Sequence, residues 1–434
     1  MKVLIDPQIL PGVTGGIAVA VQSLLQGLGQ LEGPEEYCVI VDSDEQRSWL
    51  APFLGGQQRL VLRPRPPQPG RARRLLSRVA QPVLARVRGA ASAGGPRTVP
   101  TSEGFHESLG CDVVHFPTQD FILCALPMVY NPHDLQHLRY PQHFPPHLLA
   151  WRETIYPAGC HFAQTVVVGS QWVKDDVVRR YRTDPDKIQV IPEAAPTQAA
   201  GEPTPADLER LRSAYRLEGP FLLFPAVTWA HKNHLRLFEA LARVRDASGP
   251  TLNLVCTGAR YAPFWPRIEA GIRQYGLERQ VRFLGYVPDA DLRGLYRLAS
   301  GLVFPSLYEA SSLPIFEAWL DGLPVACSNA TALPEQVRDA GLLFDPTDVG
   351  AIAEALVRIT ADVDLRRDLR ERGQERLKDF DLLRTAKAYR AVYRRSGGSP
   401  LTDEDRWLLD WDWMNGTRQR DERAAPDGSQ RTRP

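Results

Sequence analysis

Two doubly wound, Rossmann-like α/β domains facing across a cleft are the fold this sequence predicts, on three observations. Short β-branched or apolar runs alternate with amphipathic helical stretches, the pattern of parallel sheets built from βαβ units. That alternation halts at a polar, Pro/Ala-rich stretch over 192–207 and then restarts. The chain has 434 residues, which at about 150 per domain makes two or three domains. Hydrophobic residues at 43% against 24% charged supply a large core and exclude global disorder.

In chain order, strands are expected at 3–5, 37–41, 60–62, 112–116, 127–130, 165–168 and 188–191, which makes 1–195 the first domain. A linker over 196–215 follows. The second domain, 216–380, has strands expected at 221–226, 252–257, 281–284, 301–304 and 324–327, each trailed by a helical pattern. A last helix, 381–396, is expected to pack back toward the N-terminal domain. The segment 397–434 is Gly/Ser/Pro-rich, then Trp-rich (Trp407, Trp411, Trp413), then polar, and is expected to be largely disordered. Ligands of doubly wound sheets bind outside the carboxyl ends of the strands, so paired domains place the site in the cleft between them.

Basic and acidic residues nearly cancel, 52 against 51, which argues against a nucleic-acid or other polyanion partner for the chain as a whole. Six of the 52 bases are lysine and the other 46 arginine, so a lysine inside a motif stands out. The six cysteines are scattered without a C-x-x-C pair, as in reduced thiols of an intracellular protein. Asp6 and Pro7 interrupt the N-terminal apolar stretch too early for a signal peptide, and no apolar run approaches the roughly 20 residues that span a bilayer. The expectation is a cytoplasmic protein.

Three loops and one glycine turn carry the candidate chemistry. The strand at 301–304 feeds a loop holding Glu309, and Pro314 suits the first turn of a helix holding Glu317. Backbone N–H groups at Ser311, Ser312 and Leu313 are then expected at the positive end of a helix, open to an anion. Two carboxylates beside such a site can accept hydrogen bonds from sugar hydroxyls; the plainer reading is that Glu317 only favours the helix start. Lys232 lies in the loop after the first strand of the second domain, with Asn233 as a helix cap. There it can neutralise a diphosphate without a metal, although a solvated surface lysine is the alternative. His133 ends a first-domain strand and can donate to a sugar or phosphate oxygen. Seven of the nine histidines lie between 106 and 161, yet prolines at 141, 145 and 146 break any helix that would gather them, and no metal is expected. Gly15 and Gly16 open the first helix, 17–28, where glycine lets a ligand approach the backbone.

At these residues the chain resembles the retaining glycosyltransferases of family 4, which have the GT-B fold. Glu309 and Glu317 match the family's E-x7-E motif, and the stretches 321–326 and 332–346 match its C-terminal domain. The segments around His133 and Trp229-Ala-His-Lys232-Asn-His are similar to a bacterial branch rich in mannosyl- and rhamnosyltransferases of surface polysaccharide assembly. The resemblance implies that Glu309 holds donor-sugar hydroxyls and Glu317 the ribose hydroxyls. It implies Lys232 on the diphosphate, His133 beside the donor sugar, amides near Ser312 and Leu313 on the sugar or diphosphate, and Gly15 and Gly16 lining the cleft. It further implies a nucleotide-diphosphate sugar as donor, GDP-mannose first, a glycan or lipid-linked glycan as acceptor, and no cofactor. The chain departs from the family pattern in two places. Ser311-Ser312 replaces the usual Phe-Gly, and the arginine that commonly precedes the lysine is missing, leaving His231 or a distant arginine to supply charge.

Residues 46–102 contain eleven arginines and no acid, with Leu75, Leu76, Val79, Val83 and Val87 at helical spacing. Such a stretch can rest on anionic lipid at the inner face of the cell membrane, suiting a lipid-linked acceptor, or be a solvated insertion. The rival readings are a non-catalytic sugar-nucleotide-binding subunit of the same fold and a nucleotide-sugar epimerase. Retention of Lys232 and both glutamates favours the transferase.

Overall fold

The computed structural model describes residues 1–11, 15–64, 98–196, 201–247 and 249–413. Its first sheet contains β1 (Lys2–Ile5), β2 (Glu36–Val41), β3 (Gln58–Leu62), β4 (Val113–Phe116), β5 (Met128–Tyr130), β6 (Thr165–Val168) and β7 (Ile188–Val190), in the order β3-β2-β1-β4-β5-β6-β7. The second contains β8 (Phe221–Pro225), β9 (Asn253–Thr257), β10 (Val281–Gly285), β11 (Gly301–Phe304), β12 (Val325–Ser328) and β13 (Leu342–Phe344), in the order β10-β9-β8-β11-β12-β13. Every pairing is parallel. Strands covered by helices on both faces must be apolar throughout, and β4, β6, β8, β11 and β12 are buried at every position.

Strand order reverses between β1 and β4 in one sheet and between β8 and β11 in the other. Loops leaving the carboxyl ends of neighbouring strands part there and leave a crevice. The glycine turn follows β1, Lys232 follows β8 and Glu309 follows β11, so both crevices open onto the candidate residues.

The helix Leu382–Ser396 crosses back and packs on the helix Gly15–Gly29 of the first domain. The approach needs Gly27, where a Cβ would lie 2.9 Å from that of Ala386 and 3.1 Å from the Leu382 carbonyl. The expectation of a largely disordered tail fails over 397–413. A helix Asp403–Leu409 forms there, capped reciprocally by Thr402 and Asp405, and Trp411 and Trp413 are buried in the first domain's core. Burying these two large apolar side chains offsets the cost of ordering the segment, while Trp407 stays exposed. The expected linker also holds structure: Pro205–Ala214 is a helix with a Thr204/Asp207 capping box, and its Leu211 fills the space beside Gly294. Part of the arginine-rich segment is folded as well, since β3 lies inside it and Arg63 pairs with buried Asp6 at 2.7 Å and with Asp42 at 2.6 Å. The amphipathic stretch around Leu75 to Val87 lies outside the described residues. Among the described residues no helix is long and apolar enough to cross a membrane.

Candidate active site

The loop after β8 turns through a short 3-10 helix, Ala230–Lys232, and directs the lysine at the loop after β11. Lys232 Nζ donates to Glu309 Oε1 at 2.6 Å, both side chains nearly buried, and the ammonium lies 5.1 Å above the centre of the Phe304 ring. Asn233 stands at the helix start but does not cap it, which corrects the sequence reading. In a left-handed backbone conformation (φ 64°), it donates through Nδ2 to the carbonyls of Pro305 at 3.0 Å and Pro346 at 2.8 Å. It therefore ties the lysine loop to the glutamate loop. Thr331 Oγ1 completes the support, accepting from the Glu309 N–H at 2.9 Å and donating to the Glu309 carbonyl at 2.7 Å.

Glu317 points to a different part of the cleft. It accepts from the Tyr296 hydroxyl at 2.6 Å, and burial pushes its carboxyl above the usual glutamate range despite that bond. With Gln22 and Gln26 of the first domain and Asp289 and Arg293 of the second, it lines a cavity of about 230 Å³ between the domains. The two glutamates thus serve separate parts of one cleft.

The expected row of open amides is narrower than the sequence implied. The Ser312 N–H donates to Gln336 Oε1 at 2.9 Å and its carbonyl accepts from Gln336 Nε2 at 2.8 Å, so the buried Ser312 backbone is already engaged. Leu313 meets the first domain instead: a Cβ on Gly16 would lie 3.5 Å from Leu313 Cδ1. Gly15 takes φ 53°, a backbone that favours glycine. The starts of the helices Gly15–Gly29 and Leu313–Leu320 therefore face each other across the cleft.

His133, also left-handed at φ 59°, forms the opposite wall. It shares a cavity of about 50 Å³ with Glu193, Asn131, Ala310 and Ser311. Its Nε2 donates to the Pro117 carbonyl at 2.8 Å, and its Nδ1 faces Glu193 Oε1 at 3.7 Å. Burial opposes charge on the ring, but Glu193, the Pro117 carbonyl and Asp134 together prevail and raise the imidazole above its usual value. Asn131 is fixed from behind by His115 at 3.0 Å and by donating to Tyr389 at 2.8 Å. His231 does not supply the missing arginine's charge. It is buried, stacked on Trp229 with His143 tilted nearby, and held neutral because burial and nearby Lys232 disfavour its charged form.

Glu193, Tyr296 and Gln336 escaped the sequence reading, as did Tyr308, whose hydroxyl accepts the Leu135 N–H across the cleft at 3.1 Å. Gln171 N–H donates to Glu335 across the same cleft at 2.9 Å. Tyr308→Phe leaves the buried Leu135 N–H without its acceptor, costing about 1 kcal/mol of closure. Apparent affinity for a nucleotide bound between the domains should fall about fivefold by calorimetric titration; unchanged affinity would mean that this bond does not hold the cleft shut.

Family models match both halves: Glycosyltransferase Family 4 over 14–199 and Glycosyl transferases group 1 over 208–376. The chain belongs to the family 4 glycosyltransferases. Among its relatives is O-antigen chain mannosyltransferase B of Escherichia coli, 31% identical over 252 residues, covering 57% of this chain and 65% of that one. Serotype-specific mannosyltransferase WbdA, also from Escherichia coli, is 30% identical over 180 residues, 41% of this chain and 22% of its own length. The chain thus spans less than two thirds of these relatives. Anabaena Alr3699/HepE, solved with UDP and glucose, matches 91% of this chain and 100% of its own at a TM-score of 0.64 and 20% identity. That likeness establishes the GT-B fold for this glycosyltransferase. Among its described residues, no group of three or more His, Cys, Asp or Glu side chains could hold a metal ion.

Proposed function

We propose that the chain is a retaining, metal-independent hexosyltransferase that takes its sugar from a nucleotide diphosphate, GDP-mannose first. The acceptor is a hydroxyl of a glycan or lipid-linked glycan in bacterial polysaccharide assembly. The nearly buried Lys232–Glu309 pair carries this reading. A lysine and a carboxylate this deep neutralise each other. A diphosphate between the two helix starts competes for the ammonium, which has three protons to share, and frees Glu309 to accept from sugar hydroxyls. Glu317, beside the larger cavity, is suited to ribose hydroxyls. The Escherichia coli relatives, an O-antigen chain mannosyltransferase and a serotype-specific mannosyltransferase, support mannose and a surface-polysaccharide acceptor.

In the front-face route the acceptor oxygen bonds to the anomeric carbon as its bond to phosphate breaks. The bonding pair leaves on the diphosphate, whose oxygen takes the acceptor proton. Lys232 stabilises the growing negative charge, which is strongest in the transition state.

Thermal-shift titration with GDP-, UDP-, dTDP- and ADP-sugars in the presence of chelator tests this reading. The expected result is a shift with GDP-mannose that weakens about tenfold in affinity in Glu317→Gln, the loss of one charge-assisted hydrogen bond. A shift with UDP-sugars alone would replace the donor, and a strict requirement for metal would overturn the mechanism.

A further inference from the structure

We infer that Glu193, a residue at the mouth of β7 with no assigned role, is a positioning residue that keeps His133 doubly protonated, so that the imidazole lines the cleft as a fixed cation and not as a base. The inference rests on the proposed transferase reading for its role in catalysis, but its geometry stands alone. A carbonyl oxygen only accepts, so the 2.8 Å contact to Pro117 requires a proton on Nε2. The neutral ring would then present the bare lone pair of Nδ1 to the Glu193 carboxylate 3.7 Å away. Like electron density at that separation is unfavourable, and a proton on Nδ1 turns it into an attraction.

The other groups around the ring leave this balance in place. Asp134, the next residue, adds negative charge that favours the imidazolium. His115 is fully buried and neutral, its value lowered by burial to about 3, and its ring is fixed by Asn131 and the Tyr393 hydroxyl. Ser311 and Ala310, next to Glu309, close the same cavity, which places the charged ring where a donor sugar would lie.

The consequence is a division of labour. An imidazolium cannot remove the acceptor's proton. That proton goes to the leaving diphosphate, as in the front-face route, while the fixed charge of His133 offsets negative charge on the donor beside it.

The test needs neither donor nor acceptor. Protein labelled with ¹⁵N-histidine is titrated by NMR, with the His133 signals identified by their absence in His133→Gln. Both ring nitrogens are expected to be protonated at neutral pH, and Glu193→Gln should lower the proton affinity of His133 about tenfold. Glu193→Asp, which keeps the charge, should restore part of it, separating charge from packing. A neutral ring in the wild type, or an identical titration in Glu193→Gln, overturns the inference. Failure to bind any nucleotide sugar would remove the transferase reading but leave this titration intact. Conversely, mass spectrometry that finds a sugar covalently bound to Glu193 after donor addition would make it a nucleophile and overturn the positioning role.

Discussion

Lys232→Ala is expected to lower the transfer rate at saturating donor by a factor of about 10² to 10³, the usual effect of removing one preorganised charge from a developing anion. The lysine also balances Glu309, which it meets at 2.6 Å. Removing either partner strands a nearly buried charge, so Lys232→Ala and Glu309→Ala should each lower the melting temperature. The double variant Lys232→Met/Glu309→Leu, in which both charges go, should regain most of that stability. Activity should not return with it. This pattern of recovered stability without recovered rate separates a catalytic pair from a merely structural one. A double variant that regained both would assign the pair to folding alone.

Arg394→Ala is expected to be the most damaging single change to stability. Its guanidinium joins Glu35 of the first domain at 2.7 Å to Asp405 of the tail helix at 2.7 Å, and all three side chains are nearly buried. Alanine leaves two carboxylates without their cation, a loss of about 3–5 kcal/mol for a buried pair. That corresponds to a fall of about 10 °C in melting temperature, read by calorimetry. Acid should weaken the same clasp in the wild type. Burial would raise the Asp405 carboxyl, but Arg394 and the Thr402 cap prevail and hold it below the usual range. A lowered carboxylate contributes its stability above the pKa of the unfolded chain and loses it as pH falls through the folded value. The tail helix should therefore loosen in acid below the ordinary carboxylate range, seen as Trp411 and Trp413 fluorescence moving toward the solvated wavelength. An unchanged spectrum well below that range would show that apolar packing holds the tail without the ion pairs.

Much of the architecture is legible in the sequence because its causes are local. Doubly covered parallel strands must be apolar at successive positions, so β6 and β11 can be read from Thr165-Val-Val-Val and Gly301-Leu-Val-Phe alone. Motif residues follow these strands directly, which is why Lys232, Glu309 and the glycine turn are assignable to the cleft from their place in the chain. β13 is not among the expected strands: it lies at the edge of its sheet, and two of its three residues, Leu342–Phe344, are only half-buried.

Partnership across the chain is not legible, because it depends on contacts that leave no local spacing. Glu193 reads as part of a Pro/Ala-rich connection until β5 and β7 bring it beside His133. Tyr296 is an ordinary apolar-face residue of its helix until Glu317 arrives against its hydroxyl. Ser312 reads as an open amide until Gln336 fills it. Composition suggests a loose tail, yet Trp411 and Trp413 find the first domain's core because the helix Leu382–Ser396 returns the chain there. Spacing in the chain specifies the elements and the loops that carry chemistry. Which charges neutralise one another, and which amides stay free for a ligand, depends on burial and on the meeting of two domains, and these are set only once the cores have packed.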